Sequence, residues 1–367
     1  MQQNTHANFT LLAVGVVSFV MMGAGASIYG PALPEFQRTL GLTETAAGFL
    51  ISAHWVGCAF GVGAMYVKGE SLGPRHALAP MAMGAAVVMA QLGFAATLLG
   101  ALLFGAGYGA ATAVFNPRIL RAYGARGGAM VSLLNATFAA GAIAVPLVFV
   151  WFGRSIPATF GLVAALALAC WLVAGLVGTS AAPSPRAAGP FNARPWLMSL
   201  AVVSIGIEAS MIGLGPTALI ATGVPEDDAA RMLSLFFAAF LLARVVLVFV
   251  ADRVPPFTLY LLALVGAAVC GLGAATISAP WFFVGMGACV ALFFPGFYVA
   301  ASRALGNDPR VSPTIIAAGL VGGISAPIIL AALMPSLGQF GFFWVVGTAA
   351  AMAAVAGYVF ARKALRG

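Results

Sequence analysis

The chain has 367 residues, of which 62% are apolar and 7% charged, with a mean hydropathy of +1.05 and a formal net charge of +8. A soluble domain carries charged residues at roughly three times that density, so these figures exclude a water-soluble globule and indicate a polytopic membrane protein. In such a chain the excess of Arg and Lys bears on topology and not on nucleic-acid binding.

Twelve apolar spans follow in chain order: 9–29, 47–67, 77–94, 96–116, 128–151, 157–178, 196–221, 232–250, 257–276, 281–302, 312–335 and 340–361. Each is long enough to cross ~30 Å of hydrocarbon as a helix rising ~1.5 Å per residue. Spans three and four are parted only by Gln91 to Gly93, and without a turn there every later loop would change side. The charges test the count. With the N-terminus in the cytoplasm, cytoplasmic loops and ends hold Lys68, Arg75, Arg118, Arg121, Arg126, Arg186, Arg194, Arg253, Arg303, Arg310, Arg362, Lys363 and Arg366, while the opposite side holds Arg38, Arg154 and Arg231. Thirteen against three is a strong positive-inside bias, and one missed span would scramble it.

The first span lacks the basic region and small-residue cleavage site of a secretory signal and is expected to be retained. Cys58, Cys170, Cys270 and Cys289 all fall inside apolar spans, where a thiol acts as a small hydrophobe, so neither disulfide nor metal site is expected. The stretch "TSAAPSPRAAGPFNARP" is the only linker-like segment. It separates an N-terminal six-span bundle (1–178) from a C-terminal one (196–367), with a cytoplasmic linker at 179–195.

The two halves look like copies. "ASIYGPALP" at 26–34 resembles "ASMIGLGPT" at 209–217, and Glu70 and Asp252 both follow the second span of their half, 182 positions apart. Pro117 and Pro295 are separated by 178, and Gly141 with Pro146 recurs as Gly322 with Pro327 at 181. A near-constant offset is the mark of internal duplication.

Duplicated six-span halves with "ESLGPR" at 70–75 and a shorter copy, "ADRVPP", at 251–256 resemble the major facilitator superfamily. The resemblance covers nearly the whole chain. It implies an all-α fold of two six-helix bundles about a central midplane cavity, and transport by alternating access. Within the superfamily, "GYGAATAVFNPRI", "NATFAAGAIAVP", "GIEASMIGLGPT" and "ALFFPGFY" are most similar to the fucose–proton symporter branch. That branch carries a Glu four residues before the Asn-Pro of its fourth helix; here Thr112 precedes Asn116 and Pro117, and the first span has no acid. The resemblance also suggests a cytoplasmic latch of Glu70, Arg75, Asp252 and Arg253, which would hold one of two rocking states.

Glu208 is the only acid inside any span, ~20 Å from the cytoplasmic end of the seventh. A carboxylate in hydrocarbon costs at least ~2.5 kcal/mol, so its presence calls for a task or a partner. Proton coupling is the expected task and Arg244, the one deep cation, the expected partner; His54 is a second proton-coupling candidate. The other choice is a fixed pair that locks packing. Thr112 and Asn116, one turn apart, offer the donors and acceptors that an uncharged polyol or amide would need. Tyr29, Trp55, Asn135, Ser210, Phe294 and Tyr298 complete the candidate substrate contacts, with interhelical packing as the plainer role for each.

"GAGYGA" at 105–110 lies within a span without a preceding strand, so it is read as helix packing and not as a dinucleotide loop. No cofactor is called for. The expected partners are a small-molecule substrate, protons and membrane lipid, without nucleic acid, for a monomer in the cell inner membrane with both termini cytoplasmic. The preferred reading is a proton-coupled secondary transporter of a small organic solute. Two others stay open: a proton-driven exporter, whose helix-five Gly-Pro ending reads Val145-Pro146 here, and a non-transporting receptor or assembly factor on the same fold.

Topology reporters fused within 179–195 and after Gly367 should both score as cytoplasmic. A signal from the opposite side at either position would remove the twelve-span arrangement.

Overall fold

The computed structural model describes residues 2–68, 72–176, 192–250, 253–306 and 310–364. The helices, in chain order, are α1 (Gln2–Leu40), α2 (Glu44–Lys68), α3 (Pro74–Met89), α4 (Phe94–Ala122), α5 (Gly127–Trp151), α6 (Ile156–Val173), α7 (Pro195–Ala221), α8 (Glu226–Val250), α9 (Pro256–Thr276), α10 (Ala279–Val290), α11 (Phe293–Leu305), α12 (Val311–Leu337) and α13 (Gly341–Ala364). Among the described residues there is no strand.

Among the described residues, eleven stretches are long and apolar enough to cross a membrane, with Ala279–Leu305 counted as one. The third span is shorter than expected: α3 has 16 residues, ~24 Å of helix, against a predicted 77–94. Its partner α4 begins five residues later, after a turn in which Gln91 and Gly93 take positive φ of 47° and 101°. The doubtful boundary between spans three and four is therefore a real reversal.

Two other spans depart from their predicted form. The first was expected to end near residue 29, yet α1 continues through Pro31 and Pro34. It stops at a Schellman turn, with Gly41 at φ +63° and the Leu42 N–H donating to the Gln37 carbonyl at 3.1 Å. The tenth was expected as one helix and is instead broken between α10 and α11. Pro295 lacks an N–H and its ring clashes with the carbonyl four residues back, which is Ala291 at the break. Pro117, at the matching position of the first half, sits inside an unbroken α4.

The chain divides into two compact units, Met1–Ser184 and Pro185–Gly367. In the first, the main helix pairs are α1 with α5, α2 with α4, and α3 with α4 and α6. In the second they are α7 with α12, α8 with α10, and α9 with α13 and α10. The pairing thus repeats helix for helix, as duplication requires.

Small residues set these contacts. A Cβ on Gly109 of α4 would overlap the Cys58 carbonyl of α2, and one on Gly287 of α10 would overlap the Phe236 carbonyl of α8. Both members of the second pair stand 178 positions beyond the first. Gly141 against the Val20 carbonyl and Gly322 against the Val202 carbonyl form a second matched set. In hydrocarbon there is little hydrophobic drive between helices, so close backbone approach supplies much of the adhesion.

Alanine at Gly109 or Gly287 should therefore overpack the crossing and cost ~1–3 kcal/mol, seen as an earlier melt of the purified protein in detergent. Gly63→Ala, where a Cβ would meet nothing within 4 Å, is the control and should melt unchanged.

Candidate functional site

In the second unit the polar groups gather on α7 and α8. Glu208 stands thirteen residues from either end of the region Pro195–Ala221, close to the middle of α7. Its Oε2 is buried and has no hydrogen-bond partner. Two residues on, the Oγ of the fully buried Ser210 is also unpartnered, as is Oγ1 of Thr217. Arg244 on α8 lays its guanidinium over the Phe240 ring, 4.9 Å from the centroid, and leaves Nε buried without an acceptor.

Glu208 and Arg244 act on one another electrostatically but close no ion pair within 4.0 Å. The helix register explains why. Measured from the turn joining α7 to α8, Glu208 lies 13 residues along one helix and Arg244 18 along the other, a mismatch of ~8 Å in height. The cation–π contact with Phe240, worth ~1–2 kcal/mol when desolvated, holds the guanidinium at its own level. The expected partner is near, but the pair is open.

In the first unit an aromatic cluster surrounds one histidine. His54 of α2 is 1% exposed, and its ring lies 5.5 Å from Tyr29 of α1, 5.8 Å from Phe104 and 5.3 Å from Tyr108 of α4, between ring centroids. Trp55 packs edge-on against His54 at 5.5 Å and Tyr108 at 6.0 Å, and Phe160 of α6 reaches Tyr29 at 5.9 Å. Neither ring nitrogen of His54 nor the Tyr29 hydroxyl has a hydrogen-bond partner. Each such group forfeits ~1–3 kcal/mol unless something satisfies it. Tyr29, His54 and Trp55 are thus brought together, while Trp55 and Tyr108 keep part of their surface accessible.

The remaining candidates are more scattered. Thr112 donates to the Tyr108 carbonyl at 3.1 Å, and Asn135, exposed on α5, donates to the Val131 carbonyl at 2.9 Å, so both spend a hydrogen on their own helix. One turn from Thr112, Asn116 keeps a buried, unpartnered Oδ1. Phe294 and Tyr298 stack at 5.3 Å just after the break in span ten. Of the four latch residues, Glu70 and Asp252 lie outside the described residues. Arg75 sits with its guanidinium 4.5 Å above the Trp171 ring and donates from Nε to the Trp171 carbonyl at 3.1 Å, and Arg253 is exposed.

Three residues that sequence reasoning passed over prove structural. Arg118 is 7% exposed and donates to the Leu72 carbonyl at 2.9 Å, tying the end of α4 to the "ESLGPR" loop. Tyr260 of α9 donates its hydroxyl to the Leu200 carbonyl at 3.0 Å, two turns below Glu208. Tyr108 completes the His54 cluster. Arg118 follows Asn116-Pro117 directly and was legible as a basic residue at a span's end; a lone Tyr in an apolar run carries no such signal.

A twelve-span chain with matched halves and buried polar groups in each agrees with the match of residues 15–314 to the family model "Major Facilitator Superfamily". The chain belongs to the major facilitator superfamily. It is a multi-pass membrane transporter, and its family is one of transporters and not of enzymes. No curated protein sequence matches it. Among solved structures, the xylose transporter XylE from E. coli in an inward-open conformation is similar at 15% identity and TM-score 0.77, over 96% of this chain and 95% of that one. The nucleoside transporter NupG is similar at 14% identity and TM-score 0.77, over 96% and 99%. The E. coli fucose:proton symporter FucP is similar at 15% identity and TM-score 0.64, over 95% and 98%. At these identities the likeness is one of fold.

For this major facilitator protein, Tyr29→Phe separates packing from binding. It removes a hydroxyl that is buried and unpaired, so stability should hold or rise by ~1 kcal/mol. Substrate-dependent stabilisation should fall at least ~10-fold in apparent affinity if the hydroxyl meets substrate. A clear loss of melting temperature without ligand would show that the hydroxyl already has a structural partner.

Proposed function

We propose that this transporter is a proton-coupled secondary carrier, moving a small uncharged organic solute across the cell inner membrane by alternating access, with Glu208 as its proton-carrying group. One observation carries the reading: the only acid inside the predicted spans presents a buried carboxylate oxygen with no hydrogen bond and no closed ion pair. The proton affinity of a carboxyl group follows its hydration and the charges around it. Access that alternates between the two sides changes that hydration, so one residue loads on one side and unloads on the other. Arg244, held off by its register, supplies a fixed positive field that limits the swing without neutralising the carboxyl.

The solute would meet the open polar groups of the first unit, His54, Tyr29 and Asn116, with Trp55 and Tyr108 as aromatic walls. No acid belongs to that aromatic cluster, and its histidine is flanked by rings, which favours a neutral solute that exchanges hydrogen bonds over an ion that needs a counter-charge. The similar solved structures of a D-xylose–proton symporter and a fucose:proton symporter, and the sequence likeness to the fucose branch, support the same reading. The two bundles (1–178 and 196–367), the cytoplasmic linker at 179–195 and the cytoplasmic termini complete the proposal, with one chain as the working unit.

Glu208→Gln tests it, because glutamine keeps shape and polarity but does not titrate. In liposomes, exchange of substrate down its own gradient should continue, while accumulation driven by an imposed proton gradient should drop at least ~10-fold. Because the pair with Arg244 is open, the variant should also melt near the parent temperature. A fixed pair would instead leave Arg244 uncompensated at ~3–5 kcal/mol, giving early melting. A stable variant that still concentrates substrate under a proton gradient would refute the assignment and turn attention to His54.

A further inference from the structure

Cys270 on α9 and Cys289 on α10 occupy adjoining helices of the second unit, whereas Cys58 and Cys170 lie singly on α2 and α6 of the first. α9 and α10 reverse direction through Ile277 and Ser278 alone, and glycines let them close together. A Cβ on Gly266 would stand 2.8 Å from Cys289 Sγ, and a Cβ on Gly285 would stand 3.3 Å from Cys270 Sγ. Each thiol therefore sits over a glycine of the facing helix.

The register decides what such a pair can hold. Gly266 and Cys270 are one turn apart, as are Gly285 and Cys289, so the two cysteine backbones are staggered by ~6 Å along the helix axes. Helical side chains lean toward the N-terminus of their own helix, and in an antiparallel pair that lean brings these two sulfurs toward each other. A disulfide needs Cα atoms ~5.5–6 Å apart and a bond of ~2.05 Å, which the axial stagger opposes. An ion with metal–sulfur bonds of ~2.3 Å spans ~4–5 Å and needs no such approach.

Ligand number and charge narrow the ion further. Among the described residues no three His, Cys, Asp or Glu side chains cluster, so the four donors of a tetrahedral zinc site are missing and a linear, two-coordinate ion is favoured. Two thiolates neutralise a divalent cation, whereas a monovalent one would leave net charge among apolar walls. Those walls are real: Cys289 lines a cavity of about 520 Å³ framed by Leu242, Val246, Leu262 and Leu292. The first three of these are exposed or partly exposed on the outer faces of α8 and α9. The cavity gives one sulfur an apolar approach.

We propose that Cys270 and Cys289 form a two-coordinate site for a soft divalent cation of the mercuric type. Binding replaces two S–H bonds by two metal–sulfur bonds and releases two protons, with no change of oxidation state.

The full-length protein in detergent is equilibrated with one equivalent of mercuric chloride, washed with excess glutathione, and alkylated for peptide mapping. Chelation by two tethered thiols should retain one mercury per chain and protect Cys270 and Cys289 while Cys58 and Cys170 alkylate. Cys270→Ser and Cys289→Ser should each lower retained mercury at least ~10-fold, since a single thiol yields to the competing one. Cys58→Ser and Cys170→Ser should change nothing. Equal retention by all four variants, protection of all four cysteines, or a pre-existing link between Cys270 and Cys289 before any metal is added would each overturn the site.

Discussion

Hydrocarbon supplies no hydrogen-bond partner, and that one constraint shapes the whole molecule. Every backbone N–H and C=O within a span must be satisfied by its own helix, which is why the described residues contain helices and short turns and no strand. It also makes exceptions expensive and therefore informative. Pro295 removes one ladder bond and the tenth span divides there. Side chains obey the same rule: Ser18, Ser204, Thr137 and Thr314 all donate to carbonyls of their own helix, at 2.6 to 2.8 Å.

Against that background the unpartnered groups stand out. Glu208 Oε2, Ser210 Oγ, Tyr29 Oη and both His54 nitrogens lack the partners that neighbouring serines and threonines find so readily. Serine could have folded back on its helix, as Ser204 does one turn before Glu208. Ser210 does not, although it is fully buried. Groups left open in a medium that penalises openness have the property a binding surface needs: they gain most when a solute or a proton arrives.

The architecture was legible in the sequence because apolar runs, loop charges and repeat offsets are all one-dimensional signals. The reversal at Gln91 to Gly93 could be placed from them, and so could the twelve-span count. The ends of α1 and α3 could not, because a proline-tolerant helix leaving the membrane and a 16-residue helix inside it differ from their neighbours in packing and not in composition. For the site, sequence reasoning found the unusual letters: Glu208, Arg244 and His54. It could not see that Arg244 sits on Phe240, at a height ~8 Å away from Glu208, since that follows from the register of two helices about a turn. Nor could it find Tyr108 or Tyr260, which are ordinary aromatic residues until their neighbours are known.

The duplication itself separates what the fold demands from what it does not. Its packing glycines are kept: Gly109 and Gly287 face matching carbonyls, and so do Gly141 and Gly322. Its open polar groups are not. At the same offsets, Tyr29 corresponds to Met211 and His54 to Met232, while Glu208 corresponds to Ala26 and Arg244 to Tyr66. One half carries the neutral aromatic cluster and the other the acid and the cation. If these polar groups were needed to hold a six-helix bundle together, the bundle lacking them would not form, yet each half packs its helices in the same pairs without the other's set. The polar groups are therefore additions to a scaffold that is complete without them, and their unequal placement is what two halves with different tasks would require.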